Sequence, residues 1–354
     1  MSWSRTNLLI AEAAAALGVQ CRSVGSEHSD FLLQLCHGER AVFVSKTRSP
    51  FLTQVAQTLA NHKHTSRELL ARIGVPVVPA VLLDERDDAA GARVQAALQR
   101  WGTLVVKPNA ANRARGVAAE LTELAAVAAA IDRARALDPD EEALLEPYVP
   151  GSNLRLAIIG GRFEAAAEIR RPRIVGDGRT TMAAWFEQLN ADARRASWRA
   201  PSLLPFDRID ADDEDVEVAL AAHGLTQDSV LPPGAAFELL GEEAQTHDCT
   251  AAVHPGWRGL AERACAELGV DVGGIDLRGA PALLAQPPAT RWQPGALALL
   301  EINVSPALHL HAVPSHGTPR PVYHAFVAYC MGLPGAPSPC ATIRAAASGL
   351  SSST

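Results

Sequence analysis

The hydrophobic pattern along this chain alternates between two periods. Residues 7–17, NLLIAEAAAAL, hold apolar side chains at helical spacing, and short apolar runs at 21–24, 31–35 and 41–44 read as strands. A second helix is predicted over 50–60, so the chain opens with a small α/β block. The alternation continues with a helix over 65–73, a strand over 77–83, a helix over 89–101, a strand over 103–107 and an alanine-rich helix over 122–137. Repeated strand and helix is the pattern of a nucleotide-binding lobe.

Residues 154–170, LRLAIIGGRFEAAAEIR, set β-formers on both sides of Gly160 and Gly161 and predict a hairpin. Over 255–268, Trp257, Leu260, Ala261, Ala264, Cys265 and Leu268 share one helical face, and Gly269 closes the helix. Strands are predicted at 273–278 and 297–303, separated by a proline-rich loop at 279–295. The acidic run 207–217 reads as a solvated connector ahead of a helix that stops at Gly224, and the Pro-, Ala- and Ser-rich end, 334–354, as a disordered tail.

Composition narrows the function classes. A chain of 354 residues with 48% hydrophobic and 20% charged content can bury a sizeable core in more than one subdomain. Its net charge is −7 and its 32 basic residues are scattered, so it offers no footprint for nucleic acid or an anionic membrane, and small molecules are the expected partners. Arg5 and the apolar stretch 8–19 mimic a signal peptide, but Glu12 interrupts it and the residues before Cys21 make a poor cleavage site. A cytoplasmic location is expected. The six cysteines form no CxxC pair and read as reduced structural thiols.

Three places carry candidate chemistry. Glu301 and Asn303 in LLEINVS project to one face at strand period two, and Asp276 in GGIDLRG can sit opposite them. Three oxygen ligands with open positions suit Mg²⁺ held together with phosphate, although spacing alone leaves an edge or capping role open. Lys107 ends an apolar strand before the loop 109–117, where a lysine neutralises phosphate or is simply solvated. The run LLEPYVPG, 144–151, is either a plain strand end or a hinge offering backbone groups to an adenine edge and the Glu146 carboxylate to ribose hydroxyls. His62 with His64, and His309 with His311, lack the partners zinc requires.

In their order, the segments TRSPFLTQVAQTLANHKHTSRELLARIGVPVVP, VVKPNAANRARGV, LLEPYVPGSNLRLAIIGG, VGDGRTT, AVHPGWRGLAERACAELGVDVGGIDL and LEINVSPALHLH resemble the ATP-grasp ligase region of cyanophycin synthetase and of the fused bacterial glutathione synthetase. The resemblance implies an α/β (α+β) ATP-grasp fold in which two lobes clamp ATP between antiparallel sheets. It divides the chain into an N-terminal α/β predomain at 1–60, a small nucleotide-binding lobe at 61–147, a large lobe at 148–333 with the metal and substrate site, and the tail. It implies ATP and Mg²⁺ (or Mn²⁺) as cofactors, and amide formation between a carboxylate and an amine, on amino acids or short peptides, through an acyl phosphate. Lys63 and Lys107 would bind nucleotide phosphates with the lid residues Arg115 and Gly116. Glu146, Pro147, Tyr148 and Val149 would hold adenine and ribose, and Asp276, Glu301 and Asn303 the metal. Arg155 would meet phosphate or the activated carboxylate. Relatives of this kind commonly self-associate, so a homo-oligomer is expected.

Two departures from the family pattern stand out. The stretch 239–255, LLGEEAQTHDCTAAVHP, lacks an arginine that relatives place near the reacting centre, for which Arg258 and Arg278 are the candidate substitutes. The lid carries Ala110, Ala111, Arg113 and Ala114 where glycines are usual. The chain also lacks the second enzymatic half of both relatives and reads as a stand-alone ligase. A phosphotransferase on the same scaffold, or an ATP-binding regulatory protein with reduced catalysis, stays open beside the ligase. Arginines 170, 171 and 173 either recognise a second carboxylate or are solvated charges.

Overall fold

The computed structural model describes residues 3–25, 31–84, 90–110, 116–170, 173–196, 203–210, 214–238 and 245–337. They divide into two units interleaved along the chain, the first from Met1–Pro50, Ala165–Thr250 and Ala307–Leu333, the second from Phe51–Glu164, Ala251–Pro306 and Pro334–Thr354. Among the described residues no helix is long and apolar enough to cross a membrane. The predicted tail falls largely outside them, as do Arg171 and the start of the 239–255 stretch.

In the first unit, helix Arg5–Ala16 precedes a three-stranded antiparallel sheet in the order Gln20–Ser23, Leu33–His37, Arg40–Val44. Alternation buries Leu33, Leu35 and Val44 on one face. Two helices depart from expectation. Val322–Met331 packs on the N-terminal helix and ends at the left-handed Gly332, yet its sequence VYHAFVAYCM is apolar all round, so no amphipathic stripe marks it. Met182–Asn190 is capped by the Thr181 hydroxyl, which accepts the Ala184 amide at 3.3 Å, and it buries Met182 and Phe186 in a cluster with Ile174, Ile209, Leu220 and Phe237.

The second unit begins with helices Gln54–Asn61 and Lys63–Arg72. A four-stranded antiparallel sheet follows, in the order Val81–Leu83, Ala143–Pro147, Leu104–Pro108, Ala118–Leu121. Helices Ala90–Trp101 and Leu124–Arg135 cover it through Val94, Ala97, Val127 and Ala130 against Leu104, Val106 and Leu145. The strand expected over 77–83 is split: Val81–Leu83 joins this sheet, while Val77 bridges Leu299 in parallel. Pro79, between those ends, has no amide to donate, which interrupts a continuous ladder.

Strands Ser152–Ile159, Val272–Gly279 and Ala298–Asn303 pair antiparallel with Val272–Gly279 in the middle. The first of them leads through Gly160 (φ 58°) and Gly161 (φ 75°), the two positive φ values a tight primed turn needs, into strand Arg162–Arg170. Helix Pro255–Glu267 packs on the Ser152–Ile159 and Val272–Gly279 strands and buries the expected face from Trp257 to Leu268. At the entry to strand Ser152–Ile159, Gly151 has φ 120° and lies so close to Gly279 that a Cβ would stand 2.3 Å from its carbonyl oxygen. That contact fixes where the preceding segment, 146–150, leaves one sheet and enters the other.

Candidate active site

Lys63 and Arg67 lie one turn apart on helix Lys63–Arg72 and therefore on one face. Both are buried, as are Lys107 and Glu146. Glu146 pairs in register with Val105, two residues before Lys107, which makes Lys107 its diagonal neighbour on the same sheet face. A single carboxylate oxygen, Oε1 of Glu146, takes both cations, the Arg67 guanidinium at 2.6 Å and the Lys107 ammonium at 2.7 Å. Arg67 also donates through Nε to the Leu300 carbonyl at 2.7 Å, and its Nη2 is buried without a hydrogen-bond partner.

The strand register supplies the other half of the site. Asp276 lies opposite Arg155 on one side and Glu301 on the other, so Arg155, Asp276 and Glu301 form a row across three strands. A bulge between Asp276 and Leu277 breaks the register with the outer strand there. Arg155 grips Asp276 with two bonds, Nε to Oδ1 at 2.6 Å and Nη2 to Oδ2 at 2.8 Å, and the Asn303 amide donates to the same Oδ2 at 2.9 Å. Glu301 reaches Lys63 at 3.6 Å, and Lys63 donates to the Asn109 carbonyl at 3.4 Å.

Four cations thus face three carboxylates in a buried setting. Burial pushes the Glu146 carboxyl up, but Arg67 and Lys107 outweigh it and hold it below the usual range. Glu301 follows the same logic, with Lys63, Lys107, Arg67 and Arg155 holding it down. Burial lowers Lys107 despite Glu146, and it raises Asp276 despite Arg155, with Glu301 adding repulsion. Asp276 therefore sits where extra positive charge would be welcome.

The donor set can be matched to a metal. Among the described residues no three His, Cys, Asp or Glu side chains cluster as a metal site. Asp276, Glu301 and Asn303 supply two carboxylates and one amide on neighbouring strands. That set is too small for a dedicated protein cage but suits Mg²⁺ (or Mn²⁺), which keeps waters and takes phosphate oxygens. The excess cations and the unpartnered Arg67 Nη2 fit phosphate in the same place.

Several expected residues fall elsewhere. The Oε1 oxygen of Glu146, expected at the ribose, is held by Arg67 and Lys107. In the hinge, Pro147 has no amide and the Tyr148 amide donates to Thr103 at 2.9 Å. Arg278, a candidate for the reacting centre, instead clamps that hinge: Nε to the Val149 carbonyl at 2.6 Å, Nη1 to Asn153 at 2.8 Å, and its guanidinium over the Tyr148 ring. Arg258 donates to Val253 at 3.1 Å and stacks over Phe163, neither of them part of the cluster. Gly116, with φ 71°, packs against Pro108 and Leu137. Arg115 lies outside the described residues.

Two polar residues of the site carry no motif of their own. Arg67 could have been found from its four-residue offset to Lys63 on a predicted helix. Asn109 accepts the His64 amide at 2.9 Å and donates to Glu142 at 2.6 Å, tying the start of that helix to the strand that carries Lys107. His62, rather than binding zinc, caps this helix through Nδ1.

No protein-family model matches the chain. Among curated proteins, cyanophycin synthetase of Trichormus variabilis is 27% identical over 299 residues, which span 82% of this chain and 31% of that protein. Glutathione biosynthesis bifunctional protein GshAB of Streptococcus mutans is 26% identical over 295 residues, 80% of this chain and 37% of that one. The chain thus spans about a third of the length of these relatives. The crystal structure of a bifunctional glutathione synthetase from Pasteurella multocida matches with a TM-score of 0.60 at 19% identity, over 92% of this chain and 44% of that one. With these homologues and this architecture, the chain has the ATP-grasp fold.

Proposed function

We propose that this chain is an ADP-forming carboxylate–amine ligase that joins amino acids or short peptides. The observation that carries the reading is the buried convergence of Lys63, Arg67, Lys107 and Arg155 on the row that contains Asp276 and Glu301. Phosphoryl transfer requires little covalent help from a protein; it requires positioning and neutralisation of charge, and these side chains supply both.

In this reading Lys63, Lys107 and the open Nη2 of Arg67 hold the nucleotide phosphates, while the Val149 amide meets the adenine. Asp276, Glu301 and Asn303 hold magnesium, which offsets charge on the terminal phosphates. A substrate carboxylate oxygen attacks the γ-phosphorus, the bond to the β-phosphate oxygen breaks, and ADP departs. The acyl phosphate carbon then receives an amine, and the tetrahedral adduct expels phosphate, which keeps one former carboxylate oxygen. Anchored on Asp276 through Nε and Nη2, the Arg155 guanidinium turns its remaining N–H groups and its charge to the oxyanion of that adduct.

The test is release of ADP and phosphate from Mg·ATP over a panel of amino acids and dipeptides, singly and in pairs, with Glu301→Ala as control. Release that requires both a carboxylate and an amine, and vanishes in the variant, supports the ligase. Release without an amine points to a phosphotransferase. Nucleotide binding with no turnover over the whole panel points to a regulatory protein.

A further inference from the structure

Helix Lys63–Arg72 ends, away from the phosphate-facing Lys63, at the rim of a cleft of about 720 Å³ in the second unit. Volumes between about 300 and 1,000 Å³ are those of small-molecule sites. Val75, Val77, Pro79, Trp101 and Trp292 give it apolar lining. Val78, between Val77 and Pro79, is buried in a cluster with Val149 and Ala298, and Trp292 of the cleft packs against that same cluster.

The rim is basic. Arg72, Arg100 and Arg291 line it, all three exposed, and among the described residues no carboxylate does, on a chain whose net charge is −7. None of the three is engaged in an ion pair among the described residues, and the Arg100 guanidinium lies 5.5 Å from the Trp101 ring centroid. Trp292 keeps its indole N–H buried and without a partner. Buried tryptophan N–H groups ordinarily find an acceptor, and guanidinium groups ordinarily find an anion.

We propose that this cleft is a second binding site, separate from the nucleotide site, for an organic anion with a flat apolar body, such as an aromatic carboxylate. The body packs against Trp101 and Trp292, and the carboxylate takes hydrogen bonds from the arginines of the lining. An uncharged analogue keeps the packing and loses the charge-assisted bonds. A bare anion keeps the charge and loses the apolar lining.

The probe is 2-naphthoate, titrated calorimetrically into the full chain in the presence of saturating Mg·ADP. The expected result is saturable binding that ADP does not displace. It weakens about tenfold or more for 2-naphthylmethanol and in an Arg72→Ala/Arg291→Ala variant, the loss of one charge-assisted hydrogen bond or more. Since both arginines are exposed, that variant should keep the wild-type unfolding midpoint and ADP affinity, and a wild-type affinity for naphthoate in it overturns the proposal. Displacement of naphthoate by ADP, equal affinity for the alcohol, or no saturable binding to the wild-type chain overturns it as well.

Discussion

Glu146 holds two buried cations on one carboxylate oxygen, and its replacement exposes how such a pair works. Removing one partner leaves the others charged and desolvated, so Glu146→Gln should destabilise the chain by about 3–5 kcal/mol in urea unfolding. A loss below about 1 kcal/mol would mean that Arg67 and Lys107 find other partners or water. The depressed carboxyls also set the acid limb of stability. For Glu146 and Glu301 the folded pKa lies below the unfolded value of about 4.3, so their contribution is full above that pH and is lost as pH falls through the folded values. Asp276 runs oppositely: its raised pKa means that the ionised form costs stability at neutral pH. Unfolding free energy should therefore fall as pH drops below about 4.3, and Glu301→Gln should flatten that fall. At this scale Lys107, Asp276, Glu301 and Asn303 stand out by residue type and setting, Lys63 comes only through the resemblance, and the fold brings them together. Arg278 and Arg258 were harder to place, since a guanidinium reaches far and its target depends on the register of distant strands.

Elements were legible where one face is buried and the other wet. Helix Pro255–Glu267 shows that contrast, and it and the strands ending in Asn303 and Gly279 sit close to their expected bounds. Helix Val322–Met331 does not show it, because its sequence is apolar on nearly every side and that erases the period. The strand expected over 77–83 reads as continuous, and only the pairing of Val77 with Leu299 reveals that its start serves a different strand from Val81–Leu83. The hinge offers a sharp test of element placement. Gly151→Ala puts a methyl group 2.3 Å from the Gly279 carbonyl oxygen at a φ of 120°, so the chain must shift there. The expected cost is about 1–3 kcal/mol in urea unfolding, together with weaker ADP binding as the Val149 amide moves. Unchanged stability and ADP affinity would show that the contact relaxes freely.

For the molecule as a whole, the interleaving of the two units in sequence could not be read from local pattern, since it depends on which distant segments pair. The residues assigned here to nucleotide and metal all belong to the second unit. Mg·ADP at a hundredfold excess over its Kd should raise the unfolding free energy by about 2.7 kcal/mol, and Lys107→Ala should abolish that gain. Equal stabilisation of the variant would remove Lys107 from the nucleotide site. The most direct test of the ligase itself follows the oxygen. With both carboxylate oxygens of the substrate labelled with ¹⁸O, and the amine that supports turnover present, each phosphate released should carry one labelled oxygen and the amide product should keep the other. Unlabelled phosphate, or release of AMP and pyrophosphate in place of ADP, would contradict an acyl phosphate and with it the reading of this site.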